Sequence, residues 1–268
     1  MITLASDFGS PYPAAMRGVI LSRTDARLVD IAHDLPRGDV RTAAFWLAQI
    51  LPTFPPAVHL AVVDPGVGTD RRGIVLRAGD HALVCPDNGL SLPAARELTE
   101  EGSESNGSGD AIEAFEIDPG ADGFPGTDRA GATFDGRDAF APAAAGVHEE
   151  GVDALEGIEW LSGTEEYEDL SFPDPEIEGE SARGEVLVVD GFGTAITNVA
   201  GEFVAERFGE EVGVNGTRVP AERSYAHVAP GEALVTVGGH GNVELAVNDG
   251  RGIDAFGVGI GDEVRIDR

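Results

Sequence analysis

The 268-residue chain contains no lysine; its 18 basic residues are all arginine, set against 48 acids for a net charge of −30. Without a glycine-rich loop ending in Lys-Ser or Lys-Thr, the sequence argues against a nucleotide-phosphate cradle. The charge itself repels nucleic acid and anionic membranes, so neither is an expected partner. A single cysteine, Cys85, rules out an intrachain disulfide and any cysteine cage for zinc. The six histidines are scattered, with no His-Glu-x-x-His spacing, so no metal and no cofactor is expected. No apolar run approaches the 18 or so residues of a membrane span, and no basic leader precedes the first apolar residues. A soluble, cytoplasmic protein is the expectation. The acids are spread along the chain rather than blocked, and a salt-rich cytoplasm accounts for them more economically than a basic partner does.

What is present is organised around Ala61-Val62-Val63-Asp64-Pro65-Gly66-Val67-Gly68-Thr69-Asp70-Arg71-Arg72. The apolar run Val58–Val63 reads as a buried strand that stops at an acid, followed by proline and glycines that cannot continue it. Asp64 is thereby delivered to the strand's C-terminal mouth, where open α/β sheets bind ligands. Asp7, after the strand Ile2–Ala5, repeats the placement, and so does Asp87, after Ala82–Cys85. Helical spacing over Ala14–Arg23 and Asp39–Leu51, with the strand Leu28–Ile31 between them running into His33 and Asp34, predicts a parallel or mostly parallel α/β sheet. Gly79-Asp80 predicts a hairpin between Gly73–Ala78 and Ala82–Cys85. A helix over Leu90–Leu98, a solvated low-complexity insertion over Thr99–Asp110, a strand over Ile112–Ile117 and an alanine-rich helix over Ala139–Val147 come next.

Beyond Gly163 the texture changes to an acid- and proline-dense stretch, then to short strands such as Glu185–Val189, Val212–Val214 and Ala233–Val237 with turns such as Asn215-Gly216. The expected class is α/β: an N-terminal α/β/α sandwich over 1–162, an acidic linker over 163–181, and a smaller all-β, barrel-like domain over 182–268.

These stretches together resemble the S-adenosyl-L-methionine hydroxide adenosyltransferases, relatives of the fluorinase and chlorinase enzymes. The resemblance covers nearly the whole chain. It rests on Ser6-Asp7-Phe8-Gly9, Val62-Val63-Asp64-Pro65-Gly66-Val67-Gly68, Pro86-Asp87-Asn88-Gly89-Leu90, Phe134-Asp135-Gly136-Arg137-Asp138, Val189-Asp190-Gly191-Phe192-Gly193 and Glu244-Leu245-Ala246-Val247-Asn248. It implies hydrolysis of S-adenosyl-L-methionine to adenosine and methionine, in a homotrimer that binds substrate between one subunit's N-terminal domain and its neighbour's C-terminal domain. Asp64 and Arg71 match the family's catalytic Asp and Arg, while Asp135 occupies the position of its His. Asp7 matches the residue that holds the ribose hydroxyls. Tyr225, Glu244 and Val247 match positions lining the adenosine pocket, and Asp190 and Phe192 fall in a matched substrate-binding motif. Thr194 stands in place of Asn, and Gly239-His240 in place of a Ser-containing pair that contacts substrate.

The chemistry fits this resemblance. A sulfonium leaves as a neutral thioether and needs no general acid, so a base and a dry, aligned site suffice. An acid at position 64 disfavours halide as nucleophile, since two unit negative charges 4 Å apart repel by about 4 kcal/mol at an effective dielectric of about 20. If Asp135 lies near Asp64, the two carboxylates resist ionising together and one holds a proton near neutral pH; the alternative role for Asp135 is capping the following helix. Two rival functions are a metal-dependent phosphoesterase using Asp7, Asp64 and Asp87, and a non-catalytic nucleoside sensor in which Asp135 and Thr194 mark lost activity.

Overall fold

The first strand, β1 (Ile2–Ser6), is buried along its whole length and carries a parallel neighbour on each side. In the computed structural model, which describes residues 1–106, 112–126 and 133–268, the chain divides into two compact units, Met1–Ser171 and Phe172–Arg268. The boundary falls inside the acidic stretch 163–181.

In the first unit β1 leads through α1 (Tyr12–Leu21) to β2 (Leu28–Ala32), and then through α2 (Val40–Ile50) to β3 (Val58–Val62). The hairpin β4 (Gly73–Ala78) and β5 (His81–Pro86) turns at Gly79-Asp80. Helix α3 (Leu92–Asn106), β6 (Glu113–Ile117), α4 (Ala141–Glu150) and β7 (Leu161–Thr164) complete it. The seven strands lie in the order β2-β1-β3-β5-β4-β6-β7. Four of them, β2, β1, β3 and β5, are mutually parallel, while β4, β6 and β7 pair antiparallel. The sheet is therefore more mixed than the strand-helix alternation implies, because a two-residue turn reverses the chain where a parallel step needs a crossover helix.

Apolar residues of α1 and α4, among them Met16, Ile20 and Val147, pack with Ile2, Leu4, Leu60 and Val62 on one face. On the other, Leu47 of α2, Leu51 just beyond its end, and Leu92 and Leu98 of α3 pack with Ala5, Ala61, Val63 and Ile74. The unit is an α/β/α sandwich. Asp39 caps α2 by accepting from Thr42 N at 3.0 Å, and Pro13 sits in the first turn of α1, where its missing N–H costs nothing. Helix α3 runs on to Asn106 through residues expected to be a loose insertion; the Leu92–Leu98 apolar face anchors it, and glutamates are adequate helix formers. The remaining part of that expectation, from residue 107 on, and residues 127–132 lie outside the described residues.

In the second unit, β8 (Glu176–Glu178), β9 (Ser181–Val189), β10 (Ala195–Ala200), the helical turn α5 (Glu202–Ala205), β11 (Glu210–Val214), β12 (Thr217–Ala221), β13 (Ala233–Val237), β14 (Asn242–Val247), α6 (Gly252–Phe256) and β15 (Glu263–Asp267) succeed one another. Seven strands, β9-β10-β14-β13-β12-β11-β15, close on themselves through the β9–β10 and β15–β9 pairings, and β8 adds to the outside edge of β9. Closure removes free edges, and the interior is filled by small branched residues such as Val186, Val199, Val235, Leu245 and Ile266. Asn215 and Gly216 join β11 to β12 at φ of 49° and 85°, the paired positive angles of a tight hairpin turn.

Candidate active site

Strand order fixes where the first unit can bind a ligand. From β1 the chain steps to β2 on one side, and after α2 it crosses to β3 on the other. The helices α1 and α2 consequently lie on opposite faces, leaving a crevice at the C-terminal ends of β1 and β3. Asp7 comes just after β1 and Asp64 just after β3, one on each side of it.

The Asp64 side chain is only 3% exposed. Its Oδ1 accepts from Gly66 N at 2.8 Å, and its Oδ2 accepts from Nη2 of Arg71. Arg71 is steadied by a bond from Nη1 to the Arg72 carbonyl at 3.1 Å. A Cβ added at Gly66 would come within 3.0 Å of Arg71 Nε, so the glycine lets the backbone lie against the guanidinium. Burial pushes the Asp64 carboxyl above its ordinary pKa; Arg71 and the Gly66 amide pull it back, and the charge of Asp135 pushes it up further.

Asp135 is thus within electrostatic reach of Asp64. It precedes a single π turn, Gly136–Phe140, that leads into α4, and its side chain makes no capping hydrogen bond. The segment is held by packing: Phe134 meets Phe8 and Tyr12 edge-on, with centroids 5.6 and 5.4 Å apart. Gly136 lies against Phe8, where a Cβ would stand 2.9 Å from the ring. Asp7 accepts from Gly38 N at 2.8 Å, and Gly38 in turn approaches Pro65. Asp7, Asp64, Arg71 and Asp135 are thereby gathered at one mouth of the sheet.

Asp87 is engaged elsewhere. Its Oδ2 takes both Nη2 and Nε of Arg72, at 2.7 and 3.1 Å, and its Oδ1 accepts from Glu168 N at 2.8 Å. Arg72 also reaches the Glu166 carbonyl and Glu116, so the pair fastens the 166–170 segment over Gly89. Asp7, Asp64 and Asp87, the carboxylates of the phosphoesterase alternative, accept from three different donors, Gly38 N, Arg71 and Arg72. Among the described residues no group of three His, Cys, Asp or Glu is arranged to hold a metal. Burial pushes the Cys85 thiol up to about 12, which leaves it unreactive.

The second unit carries its own cavity, about 620 Å³, lined by Asp190, Phe192, Thr194, Tyr225 and Val247 of the expected residues, and by Asn248, Asp249, Gly250 and Arg251. Asp190 shapes its own loop, with Oδ1 accepting from Phe192 N at 2.9 Å and Thr194 N at 2.8 Å. Phe192 is 83% exposed, an aromatic ring standing uncovered at the rim. His240 and Glu244 lie behind Tyr225. The Tyr225 hydroxyl donates to Glu244 Oε2, and His240 Nε2 stands 3.1 Å from Oε1. His240 Nδ1 lies 3.2 Å from both the backbone N and the Oδ1 of Asn242, which hold the ring with Nε2 facing the carboxylate. Burial raises Glu244, but the bonds from His240 and Tyr225 outweigh it and hold the acid below its ordinary pKa. Asp249, Gly250 and Arg251 escape a reading of the sequence, although Asn-Asp-Gly is a turn signal; Arg251 packs across Gly193, which has φ of 84° and no room for a side chain.

The expected site residues therefore fall into two groups, one per unit. No helix among the described residues is long and apolar enough to cross a membrane. A family model described as the SAM hydroxide adenosyltransferase N-terminal domain matches residues 2–158, and one described as its C-terminal domain matches residues 184–265. The chain is 42% identical to an (R)-S-adenosyl-L-methionine hydrolase of Salinispora tropica, over 99% of this chain and 97% of that one. A protein of the same name from Thermus thermophilus is 38% identical, with 97% of each covered. The crystal structure of an uncharacterized conserved protein from Thermotoga maritima superposes with a TM-score of 0.80 at 32% identity, over the whole of both chains.

Proposed function

The chain belongs to the SAM hydroxide adenosyltransferase family, and on that premise we propose a reaction and the residues that perform it. It hydrolyses S-adenosyl-L-methionine: water attacks the ribose 5′ carbon, the carbon–sulfur bond breaks toward sulfur, and adenosine, L-methionine and one proton result. The relatives' names specify the (R) sulfonium, and the same preference is carried over here.

Asp64 is the base that orients the water and takes its proton. The observation that carries this role is its nearly closed carboxylate, held by Arg71 and Gly66 N and raised by burial, a better proton acceptor than a solvated aspartate. Arg71 fixes the carboxylate and offsets its desolvation. Asp135, where the resemblance has His, tunes Asp64 through its charge. Asp7 takes the ribose hydroxyls, which a carboxylate accepts well. The cavity of the second unit receives the adenosine, with Phe192, Thr194, Tyr225 and Val247 as its walls and Asp190, His240 and Glu244 organising them.

The assembly proposed with this reading is a homotrimer in which the first unit of one subunit and the second unit of its neighbour complete each site. The exposed Phe192 ring, which wants a cover, supports it. A salt-rich cytoplasm is the proposed setting, supported by the −30 charge and by arginine as the only strong cation.

Turnover in water labelled with heavy oxygen tests the reaction. The label must appear on the 5′ oxygen of adenosine, and methionine must leave unlabelled, with a chelator present or absent. Label elsewhere, or loss of turnover with chelator, would overturn the mechanism; no adenosine on long incubation would favour the sensor.

A further inference from the structure

Beneath the loop that carries Asp7 runs a line of polar side chains that the hydrolysis does not use. Ser6 Oγ lies 2.7 Å from Nδ1 of His33, His33 Nε2 lies 3.1 Å from Oδ1 of Asp30, and Arg17 on α1 donates to Oδ2 of Asp30 at 2.7 Å. An ionised carboxylate only accepts, so the hydrogen facing Asp30 sits on Nε2, and in the neutral ring Nδ1 accepts from the Ser6 hydroxyl. The order Ser-His-Asp has the look of an activated nucleophile. Ser6 is wholly closed to solvent, however, and a nucleophile has to be reachable.

The line exists because β2 is irregular. Leu4 pairs with Asp30 but Ala5 pairs with Ala32, so one residue, Ile31, is extra in β2. In a regular strand positions 30 and 33 point to opposite faces; the extra residue brings His33 to the face of Asp30, which is also the face of Leu4 and Ser6. Two backbone bonds join the same segments: Gly9 N donates to the His33 carbonyl at 2.8 Å, and Leu35 N to the Ser6 carbonyl at 3.3 Å. Both ends of the Ser6–Gly9 loop are thus fastened to the chain around His33, and Asp7 lies between the fastenings.

We propose that His33 is a positioning residue, which locks the Ser6–Gly9 loop through Ser6 and Asp30 and so sets the carboxylate of Asp7 for the ribose hydroxyls. The inference rests on the ribose role proposed for Asp7. It predisposes the site toward binding: loss of the lock lets Asp7 wander, and the nucleoside is held less well before any chemistry begins.

Adenosine titration by calorimetry reads this without turnover, alongside KM and kcat for S-adenosyl-L-methionine. His33→Ala and Ser6→Ala should each weaken adenosine binding and raise KM by about tenfold, the loss expected of an unmade buried hydrogen bond, with a smaller change in kcat. His33→Gln, which keeps a donor and an acceptor, should recover most of the loss. In an Asp7→Ala background, His33→Ala should add less than about twofold, because its effect passes through Asp7. Should His33→Ala fail to fold, Ser6→Ala and His33→Gln carry the same test. Wild-type affinity in Ser6→Ala and His33→Ala, or full multiplication of the His33 and Asp7 losses, would overturn the proposal. Absence of adenosine production by the wild type would instead sink the hydrolase reading, and the calorimetric cycle would still judge the coupling of His33 to Asp7.

Discussion

Arg71 donates directly to Asp64, and the acid nevertheless holds its proton more tightly than a free aspartate, because burial outweighs the ion pair. Base catalysis needs the ionised form, so kcat/KM should rise with pH on an acid limb whose midpoint lies above that of a free aspartate. Arg71→Ala removes the largest opposing influence and should move that limb to higher pH, besides slowing the reaction. Asp64→Asn should lose a factor on the order of a thousand in kcat. A flat pH profile shared by wild type and Arg71→Ala would show that Asp64 is not the base.

Asp135 acts on the same limb in the opposite direction. Its charge is the smallest of the causes that shift Asp64, behind burial, so Asp135→Asn should move the limb down, and by less than Arg71→Ala moves it up. Asparagine keeps a donor and should retain more activity than alanine, with Asp64→Asn worse than either. Because the Asp135 side chain makes no capping hydrogen bond, a purely helix-stabilising role has no support in the structure. Superimposable pH profiles for wild type and Asp135→Asn would end the coupling argument.

Fold and site are legible in the sequence where the signal is local. The strand ends that deliver Asp7 and Asp64 announce themselves by apolar runs broken at acid, proline and glycine, and the Gly79-Asp80 and Asn215-Gly216 turns by their residue types. The strand order is not legible. That β1 and β3 flank a crevice depends on which side of β1 each later strand joins, which no periodicity records. Nor is the Ser6–His33–Asp30 line, since strict alternation puts positions 30 and 33 on opposite faces and only the extra residue at Ile31 unites them. The run after Leu98 is helical where its composition suggests a loose insertion, because composition says little about a helix already anchored upstream.

In the second unit Tyr225 serves two masters, presenting its ring to the cavity and its hydroxyl to Glu244. Tyr225→Phe leaves a buried, ionised Glu244 with His240 as its remaining side-chain donor, a loss of roughly 1–3 kcal/mol. We expect a lower melting temperature together with a raised KM, and little change in the pH limb set by Asp64. Gly238→Ala should do similar damage by a different route, since its Cβ would collide with both His240 and Glu244. An unchanged KM in both variants would remove this pair from the binding site.

His59 and His81 offer a test of stability alone. Thr3 Oγ1 lies 2.8 Å from His59 Nδ1, His59 Nε2 lies 2.8 Å from His81 Nδ1, and the two rings stack at 5.1 Å. Burial, reinforced by the neighbouring His81, pushes His59 down to about 3. A histidine neutral in the fold and protonated when unfolded contributes stability that is whole above about pH 6.5 and is lost as pH falls toward 3, at roughly 1.4 kcal/mol per unit. Urea melts at pH 7 and pH 4.5 on wild type and His59→Phe should show the wild type losing more across the interval. Equal losses would mean that the pair is not a neutral buried couple.

Salt should act on the whole molecule and in a recognisable form. With 48 acids against 18 arginines, self-repulsion within each subunit, and between subunits of the proposed trimer, opposes assembly. The Debye length falls from about 10 Å at 0.1 M to about 3 Å at 1 M, so screening of this repulsion is nearly complete by molar salt. Melting in potassium chloride should therefore climb steeply, by on the order of 10 °C for a gain of a few kcal/mol, and then level off near 1 M. The near-buried Asp64–Arg71 pair is poorly screened and should not offset the gain. Strengthened apolar burial would behave differently, continuing upward with concentration and depending on the anion. Melts in chloride and sulfate, matched for ionic strength, separate the two causes. Coincident curves that plateau support screening, and a flat response in both would defeat the reading of this acidic surface as an adaptation to salt.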